Sequence, residues 1–336
     1  MQLKIQNSKF KTVFAFRHID GSLARVKELI DNELAGYAGE PELCRLLGNA
    51  NAHGGKMLRP GLVLLSGLCC GGITDRHIRI AAIVEIIHNA TLLHDDVIDE
   101  GKKRRGTPTV NTLWGNESAV LLGDFLLSRA FRMCADLEPQ ITTIIADTTV
   151  QICRGELRQT IQKRNWRLSE QEYIDIVTEK SASLFSCACL LGGLLAGAGK
   201  ARTRSLSSFG RNVGIAFQIT DDLLDIIGDE NETGKTLGSD VDKNKLTLAP
   251  IHLIRTIDEK QKSSLIKKMN TTGQGKEVLK EMFSRYGSFE YVHNKVSEFI
   301  AKAISSLNEL QESDAKNALI ETAKFVAARA AVPHID

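Results

Sequence analysis

The sequence predicts an all-α fold, and three observations predict it. Apolar residues recur at helical spacing almost throughout, as in Leu23, Val26, Leu29 and Ile30, and again in Val296, Phe299, Ile300, Ile304 and Leu307. That is the pattern of one buried helix face. Strand-like alternation is nearly absent. The composition is 43% hydrophobic and 25% charged, with few aromatic residues and only six prolines in 336 residues, a balance rich in helix formers.

Turn residues punctuate the helices in order. Breaks fall at Gly36–Pro41, at Gly54-Gly55 before Pro60, at Gly71-Gly72, at Gly101–Pro108 and at Pro139, then at Gly192–Gly199, Gly228–Gly238 and Thr271–Gly275. They cut the chain into about ten helices. No linker-like segment, fixed-period repeat or low-complexity tract separates them, so one all-helical domain over residues 1–336 is expected. The longest uncharged stretch, Ser181–Gly199, nearly reaches bilayer-spanning length but is full of Ser, Cys, Gly and Ala. It reads as a buried core helix.

Bulk properties exclude several classes of protein. Lys plus Arg exceed Asp plus Glu by only two, so no global field points to nucleic acid. The seven cysteines lack zinc-finger or disulfide-framework spacing, which suits a reducing, cytoplasmic location. The N-terminus, MQLKIQNSKFKTVFAFRHID, mixes charges through its apolar residues and is not a secretory signal.

Two acidic clusters stand out. In IVEIIHNATLLHDDVIDE, Asp95 and Asp99 are i and i+4 and share a helix face, with Asp96 about 100° round. In GIAFQITDDLLDIIG the geometry repeats with Asp221, Asp222 and Asp225, and Gln218 lies one turn earlier. Like charges at this spacing destabilise a helix by roughly 0.2–0.5 kcal/mol per pair, so something cationic must compensate. One such cluster alone is an ordinary solvated acidic face. Two on otherwise apolar helices suit Mg²⁺, which takes hard oxygen ligands from a few carboxylates and substrate phosphates.

Cationic side chains surround both clusters. Lys102, Lys103, Arg104 and Arg105 follow the first, with Lys56 and Arg59 upstream and His88 two turns before Asp95. Lys235, Lys243 and Lys245 follow the second, and Lys180 precedes the uncharged helix. Arginine grips phosphate bidentately and lysine acts as a point charge, so the set suits two diphosphates. Gly54-Gly55-Lys56 is not a Walker loop, because GxxxxGK[ST] is missing.

With LLHDDVIDEGKKRRGTPTVN and FQITDDLLD in place, the chain resembles the trans-isoprenyl diphosphate synthases, most of all the long-chain octaprenyl type. The motifs match over about Gly54 to Pro250. The resemblance implies an isoprenoid-synthase bundle with a central cavity, binding Mg²⁺ in two or three ions per site. It implies Asp95, Asp96, Asp99, Asp221 and Asp225 as metal ligands, with Asp222 as a further member of the second motif. Arg104, Lys180 and Lys235 would contact an allylic diphosphate, and Lys56, Arg59, His88 and Arg105 isopentenyl diphosphate. Gln218 and Ser181 would lie beside a developing carbocation, and Lys245 would be a further diphosphate-side lysine. Three departures stand against the pattern: Met57 for a frequent Arg, Asn244 for a frequent Gly, and AARAAVPHID for a basic ending.

A product growing away from the metals would pass Thr91, Ala90 and Ile87, with Phe131 and Met133 as a deeper floor. No Phe or Tyr stands one or two turns below Asp95 to stop it, and because interiors are close-packed a ring there would close the tunnel. That predicts a product of about C30–C50, with octaprenyl favoured by resemblance. A short-chain geranylgeranyl or farnesyl synthase is the alternative. A class I terpene cyclase normally pairs its first motif with an Asn/Ser/Glu-type site, and a non-catalytic partner subunit would lack aspartates; this chain has DDLLD and all six. A homodimer is implied by resemblance, and long greasy products make peripheral membrane contact plausible.

Overall fold

The computed structural model describes residues 16–35, 40–52, 56–228, 245–269 and 275–330. Its helices are α1 (Asp20–Leu34), α2 (Pro41–Ala52), α3 (Leu58–Leu68), α4 (Asp75–Ile98), α5 (Val110–Cys134), α6 (Pro139–Ile161) and α7 (Glu170–Val177). A π turn (Thr178–Ala182) leads into α8 (Ser183–Leu195) and α9 (Lys200–Ile227). Then come α10 (Leu248–Thr256), α11 (Glu259–Met269), α12 (Gly275–Arg285), α13 (Ser288–Ser306) and α14 (Asp314–Arg329). The helical expectation holds. Among the described residues the sole sheet is one antiparallel pair, Lys103–Arg104 with Thr107–Pro108.

Amphipathic spacing produces the outer helices. α1 buries Leu23, Val26, Ile30 and Leu34, and α13 buries Val292, Val296, Ile300 and Ala303, each at the i, i+4 or i+3 steps of one stripe. The centre is different. In α3 every residue from Leu58 to Gly67 is buried, and in α4 so is every one from Ile80 to Ile87, as a helix apolar all round requires. α4 packs on α3 and α5, α8 packs on α3 and α9, and α9 carries α13 on its far side. The buried apolar side chains form a connected cluster from Phe16 to Ala330.

Helix ends follow local chemistry. Thr74 and His77 form a reciprocal capping box at the start of α4, and Ser169 with Glu172 does so at α7. Pro139 occupies the first position of α6, where its missing N–H costs nothing. The predicted break at Gly192–Gly199 begins too early: Gly192 and Gly193 lie inside α8, and the chain turns only at Gly197, φ 77°. Gly192 is a crossing point. A Cβ there would meet the Val63 carbonyl oxygen of α3 at 2.2 Å. The uncharged stretch is thus α8, buried between helices, and no helix of the described residues is long and apolar enough to cross a membrane.

The breaks at Gly54-Gly55, most of Gly36–Pro41 and Gly228–Gly238, and most of Thr271–Gly275 lie outside the described residues.

Candidate active site

Both aspartate clusters sit at the C-terminal ends of long helices. Asp95, Asp96 and Asp99 close α4, and Asp221, Asp222 and Asp225 occupy the last two turns of α9. The negative pole of each helix dipole adds to the carboxylates there, so the local demand for positive charge exceeds that of the side chains alone.

That demand is met residue by residue. The Lys180 ammonium lies 3.8 Å from Asp95 Oδ1, touches Glu156 and donates to Gln159 Oε1 at 2.9 Å. Arg104 places its fork on Asp96, with Nε at 3.0 Å from both oxygens and a terminal nitrogen at 2.6 Å from Oδ1. Lys245 donates to Asp99 at 2.6 Å, and Arg329 to Asp221 at 3.0 Å. Asp222 accepts from two neutral donors among its contacts, Tyr173 Oη at 2.6 Å on Oδ2 and Gln218 Nε2 at 2.7 Å on Oδ1. Ser181 Oγ donates to Gln218 Oε1 at 2.6 Å. Asp225 is half-buried on the same helix.

Burial and charge set the protonation of these groups. Desolvation alone would lower the Lys180 ammonium, but Asp95 and Glu156, with Asp99 behind them, outweigh it and hold the pKa above the ordinary lysine value. Burial pushes Glu156 up against the pull of Lys180. Burial also works against the Arg104 guanidinium, and the hydrogen bonds and charge of Asp96 overcome it, so its pKa is raised. Each cation therefore stays charged in a desolvated setting because its carboxylate is present.

Lys180 reaches the cluster through two backbone features. It sits in the π turn Thr178–Ala182, a one-residue expansion that re-aims side chains and recurs at functional sites. Opposite stands Gly155 of α6, where a Cβ would lie 2.4 Å from the Lys180 nitrogen and 2.8 Å from its Cα. A hairpin similarly presents Arg104 and Arg105. Its two-residue turn puts Arg105 at φ 52° and Gly106 at φ 82°, both positive as the favoured hairpin turn requires, at about 1–2 kcal/mol for the arginine.

A second basic group lies on α3 and its approach. Arg59 is buried with its guanidinium 4.3 Å from the Phe185 ring centre, and its Nε has no hydrogen-bond partner among the described residues. Burial lowers its pKa to about 10, against the opposing pull of Glu85 and Asp221, so it remains a cation at neutral pH. Glu85, buried on α4, is pushed up by desolvation while Arg59 and Arg105 pull it down. Lys56 lies 5.1 Å from the Phe325 ring centre on α14. Met57, where the resemblance expects Arg, takes a left-handed conformation (φ 49°) just before α3.

Of the residues expected along the product path, Ile87 and Ala90 are fully buried and Met133 is buried. Thr91 is half-buried and donates to the His88 carbonyl at 2.7 Å. Phe131 is a correction. It is 50% exposed, because α5 turns Leu122, Leu126, Ala130 and Met133 inward and the next position falls about 100° away. It does not floor an interior tunnel in this chain. Lys235, Lys243 and Asn244 lie outside the described residues, as does the chain after Ala330.

Sequence reading missed Glu85, Glu156, Gln159, Tyr173 and Arg329. Glu85 left a signal: it is a lone charge in the apolar run IVEIIHN. Glu156, Gln159 and Arg329 lie on mixed polar helices with no local mark, and only tertiary contact reveals them.

Among the described residues, no group of three or more His, Cys, Asp or Glu side chains is already gathered to hold a metal ion. The donor set fits one all the same. Asp95, Asp99 and Asp221 remain partly accessible, at 23%, 25% and 18% side-chain exposure, and each is held by a flexible side chain that a divalent ion with phosphate oxygens can displace. Asp96 and Asp222 are buried against their donors.

A helical bundle whose two acidic helix ends share the field of Arg104, with further cations on each, defines an all-α isoprenoid-synthase-type fold. The polyprenyl synthetase family model matches residues 40–286. The chain belongs to that family of prenyltransferases. It is 33% identical over 321 residues to an octaprenyl diphosphate synthase of Escherichia coli, covering 92% of this chain and 99% of that protein. It is 36% identical over 285 residues to a short chain isoprenyl diphosphate synthase of Methanothermobacter thermautotrophicus, covering 82% and 87%. The polyprenyl synthase of Caulobacter crescentus CB15, solved with calcium and isoprenyl diphosphate, superposes with a TM-score of 0.90 at 30% identity over 95% of this chain and 98% of that one.

Proposed function

We propose that this chain is a long-chain trans-polyprenyl diphosphate synthase that adds isopentenyl diphosphate head to tail to an allylic diphosphate primer, using two or three Mg²⁺ ions per site. The observation that carries it is the pairing of every first-cluster aspartate, and of Asp221, with a cation able to move onto diphosphate. The calcium and isoprenyl diphosphate in the Caulobacter relative support the same ligand chemistry.

In this reading Asp95, Asp99, Asp221 and Asp225 hold the metal, while Asp96, also expected among the ligands, is buried under Arg104 and orients it. Bound metal supplies Lewis-acid neutralisation of the leaving diphosphate. Lys180, Arg104 and Lys245 stabilise the negative charge that develops there as the allylic C–O bond ionises, with Lys235 as a further contact by resemblance. Arg59, Arg105, Lys56 and His88 hold isopentenyl diphosphate so that its double bond attacks the cation, and loss of a proton leaves a chain one unit longer. The helices around Gln218 and Ser181 keep water out, which would otherwise quench the cation.

Small residues on α4 support a long product, about C30–C50 with octaprenyl favoured, because close packing leaves no room for a chain beside a ring. Relatives of both short and long type leave a short-chain synthase as the second reading. Exposed Val150, Leu157 and Ile161 on one face of α6, with Leu121 on α5, support a homodimer covering them. Unbridged Cys134, Cys187 and Cys189 fit the cytoplasm, and a greasy product favours peripheral membrane contact. Incubating the protein with labelled isopentenyl diphosphate, Mg²⁺ and primers of several lengths, then separating products by chain length, tests the proposal. Asp95→Ala that keeps near-normal Mg²⁺-dependent turnover overturns the metal assignment.

A further inference from the structure

We infer that Tyr173 is a positioning residue that orients the Gln218 side-chain amide through Asp222. The inference rests on the prenyl synthase reading and deepens it, because it gives a separate task to one aspartate of the second cluster and brings in a residue from α7.

Tyr173 is 2% exposed, and its hydroxyl lies 2.6 Å from Asp222 Oδ2. Asp222 is itself buried, and its other oxygen is 2.7 Å from Gln218 Nε2, one helical turn earlier on α9. With the Tyr173 hydroxyl donating to Oδ2, Asp222 Oδ1 stands as the acceptor facing Gln218. Gln218 must therefore turn its NH₂ toward Asp222, which leaves its carbonyl oxygen pointing the other way. There the Ser181 hydroxyl donates to it at 2.6 Å. The chain Tyr173, Asp222, Gln218, Ser181 has one consistent donor direction, and it spans α7, α9 and the π turn.

The consequence is electrostatic. A preorganised amide stabilises an allylic cation when the oxygen end of its dipole faces the positive charge, and opposes it when the N–H end does. With the cation lying beside Gln218 and Ser181, as the functional reading has it, Asp222 selects the first orientation. Tyr173 helps hold Asp222 by donating to the oxygen that Gln218 does not use; removing that hydroxyl takes one donor from the buried carboxylate and loosens the partner that orients the amide. The ring of Tyr173 fills space in the core, so the hydroxyl alone carries the positioning role and can be removed without removing the packing.

The test uses the full-length chain with labelled isopentenyl diphosphate, an allylic primer and saturating Mg²⁺. Tyr173→Phe is expected to lower kcat about tenfold or more, as small misplacements near reacting atoms do, with KM for both substrates within about twofold and a larger share of primer released as the alcohol. Loss of packing alone would change Tm without changing that partition. The coupling is read independently by comparing Gln218→Ala with Gln218→Ala/Tyr173→Phe: the second substitution is expected to add nothing, because its target is gone. Unchanged kcat in Tyr173→Phe, or a Tyr173→Phe loss that persists in full in the Gln218→Ala background, overturns the inference. A wild-type protein that makes no prenyl product overturns the functional reading instead, so the two failures are distinct.

Discussion

Gly155 sets how closely α6 approaches the π turn, and Gly155→Ala is the sharpest probe of the Lys180 geometry. The added methyl would stand 2.4 Å from the Lys180 nitrogen, 2.8 Å from its Cα and 2.9 Å from the Glu179 carbonyl carbon. These are backbone atoms, with no flexible tip to swing aside. To restore ordinary contact near 3.4 Å, α6 and the turn must separate by about 1 Å. Overpacking of this kind costs about 1–3 kcal/mol, and a 1 Å misplacement of a catalytic group costs about a hundredfold in rate. That separation would stretch the Lys180 contacts to Glu156 and Gln159 on α6 and displace its ammonium relative to Asp95, now at 3.8 Å. The expected result is a fall in kcat of about two orders of magnitude with a moderate loss of stability. Gly210→Ala provides the control, since its methyl would strike the Phe185 carbonyl at the same 2.4 Å but away from Lys180. Steady-state kinetics and thermal melts of both variants separate the effects. If the two lose stability equally and also lose the same activity, or if Gly155→Ala is fully active, the placement of Lys180 by Gly155 is refuted.

Other expectations follow from the same geometry. Ala90→Phe places a ring where Ala90 is fully buried and should shorten the product, read by chromatography; unchanged chain length sinks the tunnel assignment. Arg104→Lys surrenders a fork holding Asp96 at 2.6–3.0 Å and should lower unfolding stability by about 1–3 kcal/mol in denaturant titration. Glu85 is held above its ordinary 4.5 mainly by burial, so the folded state binds its proton more tightly than the unfolded state. The stability it lends is fully present below 4.5 and is lost as pH rises through the raised folded value. Glu85→Gln, neutral throughout, should therefore gain Tm over the wild type as pH rises, and a pH-independent difference counts against the buried-carboxylate account. Leu157→Asp with Ile161→Asp should shift sedimentation toward the monomer, while an unchanged sedimentation coefficient removes α6 from the proposed dimer face.

The sequence by itself determined the helices and the chemistry they carry, because both are short-range. Helical phase repeats every few residues, so the i, i+4 sharing of Asp95 with Asp99 and of Gln218 with Asp222 was legible without coordinates. Only the tertiary structure decided the pairings. Lys245 meets Asp99 across 146 positions and Arg329 meets Asp221 across 108, and no periodicity connects such distant residues. It also decided how near two helices come, which at Gly155 depends on a missing Cβ and on a π turn. Phe131 illustrates the limit: an apolar residue on a helix predicts burial, but whether it faces this chain's interior or a surface left for a partner is a matter of how α5 is rotated against α4. That rotation is set by the fit of whole helix faces, a long-range sum that no local pattern contains.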